Sequence, residues 1–444
     1  MGKYQAYPEY KSSGVEWLND IPSHWSVSKI KYLAPFQVGW TPSTRDDANF
    51  IGENCWANIS DLKQKVITDT VKKISDQAAK AASMNITPRG SLMYSFKLSV
   101  GSISFAGKDM YTNEAIASFL GSAKLPLRYL YYALPNFIIE NASTNIYGAK
   151  ILNQELINNA LLLKPSFDES EKIADFLDHE TAKIDALIEK QQQLISLLQE
   201  KRQAVISHAV TKGLKPDVPM KDSGVEWLGK VPENWDTLPT KRFFRLVAEP
   251  APYNNNYELL SVYTDIGVKP RKELEQKGNK ASTTDGYWMV KEGDIIVNKL
   301  LAWMGAIGYS AYCGVTSPAY DILRPTKNIN PKFYHYLFRT KLANSEFKRW
   351  SRGIMDMRLR LYFDELGRIM MPLPPRKEQD AIVALIEAME TLYDNLISMS
   401  EKQILLMQER RTALISAAVT GKIDVRNWQA PSQSSTSSTE EQAL

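Results

Sequence analysis

Ser13-Gly14-Val15-Glu16-Trp17-Leu18 occurs a second time, unchanged, as Ser223-Gly224-Val225-Glu226-Trp227-Leu228. Just downstream, Pro22 and Trp25 return as Pro232 and Trp235, so the offset is 210 residues. Far along the chain, Glu200-Lys201-Arg202-Gln203-Ala204-Val205-Ile206-Ser207 matches Glu409-Arg410-Arg411-Thr412-Ala413-Leu414-Ile415-Ser416, and Ala209-Val210-Thr211 matches Ala418-Val419-Thr420, at an offset of 209. Chance similarity gives two distant blocks no reason to share a register, so the halves are related as wholes. Between the blocks only echoes survive. Arg89-Gly90-Ser91-Leu92 parallels Glu292-Gly293-Asp294-Ile295, Gly101 parallels Gly305, and Tyr129-Leu130-Tyr131-Tyr132 parallels Phe333-Tyr334-His335-Tyr336. One scaffold with a rewritten surface is the expectation.

Leu92-Met93-Tyr94-Ser95 and Ile295-Ile296-Val297-Asn298 are short apolar runs after a glycine, and read as strands. Frequent Gly, Pro and Asn around them suggest mixed α/β domains rich in loops. Each half ends differently. From Asp168 to Lys212 there is no Pro or Gly; Pro165 precedes the stretch and Gly213 follows it. Leu177, Ile184, Leu198 and Val205 lie at multiples of seven, with Gln191 in the polar slot, and Ile173, Leu187 and Leu194 are assigned to the complementary row. Ile386, Tyr393, Met407 and Leu414 repeat the seam after Pro374-Pro375, with Ser400 opposite Gln191 in the alignment and Gly421 as the stop. Helices of about 45 residues would each span roughly 65 Å.

The expected fold class is α+β. Two similar α/β domains form an internal repeat, separated by two long antiparallel α-helices packed in the manner of a coiled coil. The expected boundaries are a repeat segment at 1–25, a domain at 26–165, a helix at 166–212, a repeat segment and linker at 213–235, a domain at 236–373, a helix at 374–424 and a disordered Ser/Thr/Gln/Glu-rich tail at 425–444.

The net charge of +4 is unevenly spread. Ser26–Pro165 holds 15 Lys and Arg against 10 Asp and Glu, and Asp236–Pro372 holds 21 against 14, whereas both helical segments are slightly acidic. Phosphate-binding surface therefore belongs on the two domains. Cys55 and Cys313 are too few for a disulfide framework, and His24, His179, His208 and His335 have no partner at metal-ligand spacing, so each is read as structural. Met1-Gly2-Lys3-Tyr4-Gln5-Ala6 has neither the apolar core of a secretory signal nor a myristoylation hydroxyl, and no apolar run is long enough for a membrane span. A cytoplasmic protein is expected.

The doubled Ser-Gly-Val-Glu-Trp-Leu…Pro…Trp segments and the doubled helix ends resemble the specificity subunits of type I restriction–modification systems, over nearly the whole chain. Gly39-Trp40-Thr41-Pro42-Ser43, Cys55-Trp56-Ala57-Asn58-Ile59-Ser60-Asp61-Leu62 and Thr112-Asn113-Glu114-Ala115-Ile116 look like that family's target-recognition domain. Pro372-Leu373-Pro374-Pro375-Arg376-Lys377-Glu378-Gln379 looks like its helix-entry signature; the matching Lys164-Pro165-Ser166-Phe167-Asp168-Glu169-Ser170 lacks the Gln. The resemblance implies a bipartite double-stranded DNA target, one half read by each domain, with the helices setting the gap. It also implies two methyltransferase subunits as partners and two ATP-driven restriction subunits in a larger complex.

No Asn/Asp-Pro-Pro-aromatic loop, glycine-rich methyl-donor loop, phosphate loop or Ser/His/Asp set is found, so the chain is read as a binder without catalytic residues. S-adenosylmethionine, ATP and magnesium are expected on the partners, and no metal on this chain. Direct readout needs Arg, Lys, Asn or Gln at base edges. The candidates are Thr41, Arg45, Lys97, Asn113 and Lys150 in the first domain, and Asn298, Lys299, Arg352, Arg358 and Arg360 in the second. Leu177, Ile184, Leu198, Val205, Ile386, Tyr393, Met407 and Leu414 are the candidate seam or partner-binding residues. Trp17, Trp25, Trp227 and Trp235 are read as packing where each half docks onto the helices. Two other readings stay open: a lone bipartite DNA-binding protein, and a coiled-coil scaffold for proteins alone.

Overall fold

The computed structural model describes residues 4–97, 99–144, 148–273 and 284–430. The chain divides into two compact units, Met1–Lys190 with Gln403–Leu444, and Gln191–Lys402.

In the first unit, Phe36–Val38, Ile116–Phe119, Leu92–Ser95, Ile103–Ala106 and Val66–Ile67 form a five-stranded sheet in that order. Its pairs are antiparallel except the last, which is parallel. The continuous apolar runs explain the centre: all four residues of Leu92–Ser95 and of Ile116–Phe119 are buried. The helix Leu127–Ile138 buries Tyr129, Leu130, Leu134 and Phe137 in the same core. In the second unit a four-stranded antiparallel sheet runs Phe244–Val247, Tyr320–Pro325, Ile295–Asn298, Ile307–Tyr309. The helix Pro331–Phe338 packs on it through Phe333, Tyr334, Leu337 and Phe338. The duplicated segments fold alike: Tyr10–Ser12 pairs antiparallel with Asp20–Pro22, and Met220–Asp222 with Lys230–Pro232.

Two long helices, Phe167–Lys212 and Arg376–Val419, contribute to both units. Ser166 caps the first, its hydroxyl accepting from the Glu169 amide at 3.2 Å. Gly213 and Gly421 end the helices with φ of +81° and +76°, the left-handed turn that glycine adopts without strain. Gln379 ties the start of the second helix to its domain: it donates to Pro374 O at 2.8 Å and accepts from the Asn330 amide at 2.8 Å. Ser170, in the matching place, donates within its own helix turn, to Ser166 O at 2.8 Å. In the first unit Arg411 meets Asp185 while Lys172 reaches Arg426 O, so the two segments there run in opposite directions. The same holds in the second unit, where Arg202 meets Asp394 and Gly213 lies beside Glu378.

Of the residues expected to form the seam, Leu177, Ile184, Ile386, Tyr393 and Leu414 are buried, and Leu198, Val205 and Met407 are partly buried. The complementary row is corrected. Ile173 is buried, but Leu187 and Leu194 are exposed. Thr181, Ile188, Ile195, Arg202 and Ala209 take the covered positions instead. Heptad rows are alternately three and four residues apart; here the covered row lies four after Leu177 and Ile184, whereas Leu187 lies three after Ile184.

Trp25 and Trp235 are fully buried at the helix ends, against Gly421 and Gly213 respectively. The other two tryptophans are less covered, although Trp227 still packs against the core of the second unit. Trp17 is exposed and leans on Phe137 of the domain helix, and Trp227 is partly buried. Order also extends further than expected after the second helix. Val425 is buried and Trp428 packs edge-on against Phe176, because this segment covers the apolar face that the first helix turns outward there. Of the expected tail, residues 431–444 lie outside the described residues.

Candidate nucleic-acid interface

In the first unit, antiparallel pairing brings three strand-flanking loops to one end of the sheet. Phe36–Val38 leads into Gly39-Trp40-Thr41, Leu92–Ser95 leads into Phe96-Lys97, and Asn113-Glu114-Ala115 precedes Ile116–Phe119. Backbone bonds from Trp40 N to Thr112 O (2.9 Å) and from Phe96 N to Ala115 O (3.0 Å) lock them together. A Cβ on Gly39 would stand 1.8 Å from Thr112 O, so only glycine permits this approach. The structure therefore gathers Thr41, Lys97 and Asn113.

Their side chains differ in freedom. The Thr41 hydroxyl donates to the Glu114 carboxylate. Asn113 Oδ1 accepts from the Ala115 amide at 3.1 Å, shaping the loop. Lys97 is exposed, with its carbonyl accepting from the Ser95 hydroxyl at 3.1 Å. Arg45 is exposed further along the Thr41 loop, and Lys150 is exposed on a separate hairpin that pairs Ser143–Thr144 with Lys150–Ile151. Sequence reasoning passed over Glu114, because it sought only cations and amides, and the exposed ring of Trp40.

In the second unit, Asn298 ends a central strand and is only 9% exposed, with Oδ1 accepting from the Leu300 amide. Lys299 is engaged by Asp321 at 3.1 Å. The Leu361 amide donates to Lys299 O at 2.9 Å, which sets the loop Arg352–Arg360 beside this strand end. Arg352 is ion-paired with the buried carboxylate of Glu365. Arg358 and Arg360 are exposed, and neither guanidinium is ion-paired among the described residues. Asn298, Lys299 and Arg352 thus have structural partners within the chain, whereas Arg358 and Arg360 face outward.

Each domain is joined to a long helix by polar contacts. In the first unit Tyr132 donates to Asp178 Oδ1 at 2.6 Å, and Arg128 and Lys65 pair with the same carboxylate. Burial alone would raise the Asp178 pKa, but the bonds from Lys65, Tyr132 and Arg128 outweigh it and hold it below the usual range. In the second unit Tyr336 donates to Glu390 Oε2 at 2.8 Å, and Arg202 of the first helix pairs with Glu390 Oε1 and Asp394 Oδ1, both at 2.8 Å. His335, one residue away, accepts from the Tyr309 amide through Nδ1 at 3.2 Å. Burial, then Arg339 and Lys332, push its pKa down to about 3. Among the described residues no cluster of His, Cys, Asp and Glu has the makings of a metal site, and no helix is long and apolar enough to cross a membrane.

The fold is a mixed α+β one with long helices, and its likeness to solved structures defines its class. It superposes on the HsdS subunit from Thermoanaerobacter tengcongensis with a TM-score of 0.52, at 13% identity over 91% of this chain and 98% of that one. A chain from a study of complex assembly and conformational transition in the type I R-M system gives 0.59, at 14% identity over 91% and 99%. Residues 22–197 match the family model described as the type I restriction modification DNA specificity domain. The MjaIX specificity subunit of Methanocaldococcus jannaschii is 25% identical over 206 residues, which is 45% of this chain and 46% of that relative, so the match spans about half of its length. The MjaVIII specificity subunit of the same organism is 20% identical over 92% of this chain and 95% of its own. The EcoBI specificity subunit of Escherichia coli is 24% identical over 68% and 67%. Residues 22–197 thus match the type I restriction modification DNA specificity domain, and over most of its length the chain is similar to type I restriction enzyme specificity subunits.

Proposed function

We propose that this chain is the non-catalytic DNA-reading subunit of a type I restriction–modification complex. The two domains, arranged as an internal repeat, read the two halves of an interrupted target, and the antiparallel helices set the gap between them. The observation that supports this most is that each unit carries its own sheet, with exposed cations on nearby loops: Lys97 in the first unit, Arg358 and Arg360 in the second. Such cations would hold phosphate and fix the register in which neighbouring side chains meet the bases.

Two methyltransferase subunits would dock on the helices, and two restriction subunits would join the larger complex. S-adenosylmethionine, ATP and magnesium would sit on those partners. Docking would use the outward apolar side chains Leu197, Leu392 and Met399 in the second unit, since Ile386 and Tyr393 there are buried.

The test is to replace Ser26–Leu163 with the matching block of a related subunit and map methylated adenines made by the assembled complex. One half of the methylated sequence should change while the other half stays. A change in both halves, or in neither, refutes the assignment of one domain to one half-site.

A further inference from the structure

The loop at Arg352–Arg360 ends in an exposed apolar tip. Ile354 is 100% exposed and Met355 is 51% exposed. A single exposed isoleucine is unremarkable on a floppy loop. Here the loop is built. Arg352 and Arg360 exchange backbone hydrogen bonds of 2.9 Å in both directions, and the Arg358 amide donates to Met355 O at 2.8 Å to close the turn. Leu359 and Leu361 are buried and anchor the returning strand. Lys348 holds Asp356 at 2.8 Å, and Arg352 is held by buried Glu365. Gly353 lets the two arms pinch together, since a Cβ there would lie 2.6 Å from Arg358 O. The tip is therefore held out into solvent in one shape, and binding would cost it little further ordering.

Its surroundings indicate what it meets. Between Lys341 and Arg360 there are six cations, Lys341, Lys348, Arg349, Arg352, Arg358 and Arg360, against two carboxylates, Glu346 and Asp356. Both carboxylates are already paired, Asp356 with Lys348 and Glu346 with Arg349, and Glu226 and Glu365 from outside this stretch meet Arg349 and Arg352, which leaves Lys341, Arg358 and Arg360 as the cations without an ion-pair partner among the described residues. An apolar protein surface would not call for this excess of positive charge, whereas a polyanion would. Apolar side chains contact nucleic acid in two ways: against the 5-methyl group of thymine in the major groove, or as a wedge between base steps.

We propose that Ile354 and Met355 form an apolar base-contacting tip for the second half-site, with Arg358 and Arg360 gripping the flanking phosphates. The proposal rests on the reading of the chain as a two-part DNA reader, and assigns specificity to side chains with no hydrogen-bonding group to offer.

The experiment uses the full chain assembled with its methyltransferase subunits and a duplex carrying the target mapped by methylation. Ile354→Ser with Met355→Ser is set against Arg358→Ala with Arg360→Ala; all four positions are exposed, so folding should be spared. The serine pair should weaken binding on the order of tenfold and relax base preference at one or two adjacent positions of one half-site. It should leave the salt dependence unchanged. The alanine pair should weaken binding to every sequence alike and lower the salt slope by about one to two. Replacing thymine by uracil at the relaxed position should weaken the wild type and not the serine pair if the contact is to the methyl group. Insensitivity to uracil, with a smaller DNA bend in the serine pair, identifies a wedge; both are forms of the proposed contact. The proposal is overturned if the serine pair keeps wild-type preference at every position, or if it loses methyltransferase subunits instead of base preference. If the wild-type complex itself binds no interrupted target, the broader reading fails first, and that failure is visible before any variant is made.

Discussion

Arg202→Ala should loosen the second unit by an amount that depends on Tyr336. The Arg202 guanidinium makes one 2.8 Å bond to Glu390 and one to Asp394, and Tyr336 donates to the other oxygen of Glu390. Side-chain exposures of 26% for Arg202 and 28% for Glu390 mean that solvent screens the pair in part. Burial lowers the arginine pKa, yet the bonds from Glu390 and Asp394 outweigh it and leave the group raised. Hydrogen bonds to charged groups contribute about 1.5–3 kcal/mol when buried, and exposed pairs less than 1, so the loss should be about 1–2 kcal/mol. For a cooperative unit of roughly 200 residues, that lowers Tm by about 2–8 °C. Arg202→Ala and Tyr336→Phe act on one carboxylate, so a double-mutant cycle should give a coupling of about 0.5–1 kcal/mol, whereas Arg411→Ala, whose partner is Asp185, should not couple to Tyr336. In the assembled complex, Arg202→Ala should widen the range of half-site gaps methylated without changing either half-site. Strict additivity of Arg202→Ala and Tyr336→Phe would refute the joint, whatever the size of each loss.

Other outcomes follow from particular side chains. His335 is held neutral, with its folded pKa near 3, below the ordinary value of 6.5. The stability it supports is therefore complete above about pH 6.5 and is lost as the pH falls toward 3, by about 1–2 kcal/mol at pH 5. His335→Asn, which keeps an acceptor for the Tyr309 amide, should flatten urea midpoints between pH 7 and pH 5; an unchanged pH slope would rule His335 out as the source. Gly421→Ala should destabilise the first unit by roughly 2–4 kcal/mol, because its Cβ would stand 2.4 Å from the Pro22 ring as well as requiring a positive φ. Gly213→Ala comes closest to the flexible Glu378 carboxylate, at 3.2 Å, and meets the Pro232 and Trp235 rings at an ordinary contact distance of 3.4 Å, so it should cost about 1 kcal/mol; equal losses in urea titrations would contradict the packing argument.

The long helices were legible because two local signals agree over many turns: no Pro or Gly, and apolar residues every seven. The identity of the second row was not. A residue three places on and one four places on look alike in composition, and only the partner's position decides that Ile188 is covered and Leu187 is not. The strands Leu92–Ser95 and Ile295–Asn298 were legible as buried runs, whereas the Phe36–Val38 strand, bounded by Pro35 and Gly39, is too short to carry a periodic signal. The reading surface was the least legible part. Whether a cation is free depends on carboxylates remote in sequence. Lys299 is engaged by Asp321 and Arg352 by Glu365, while Arg358, only six residues after Arg352, faces water. Composition around these residues is the same, and it cannot separate them.

The joints between domain and helix carry this point further. The echo in sequence aligns Tyr132 with Tyr336, and the helix repeat, at an offset of 209, aligns Asp178 with Glu387. A strict repeat would have Tyr336 donate to Glu387. It donates instead to Glu390, three residues on, while Glu387 is paired with Lys332. Three residues are about 4.5 Å along a helix, so the second domain grips its helix most of a turn beyond the matching place in the first unit. The same kind of bond, a tyrosine hydroxyl on a helix carboxylate, is kept while its register is not. A duplicated sequence can therefore fix the kind of joint without fixing how far along the helix each domain sits. On the proposed function that position is part of what sets the gap between half-sites, which is why the gap cannot be obtained by counting residues in the repeat.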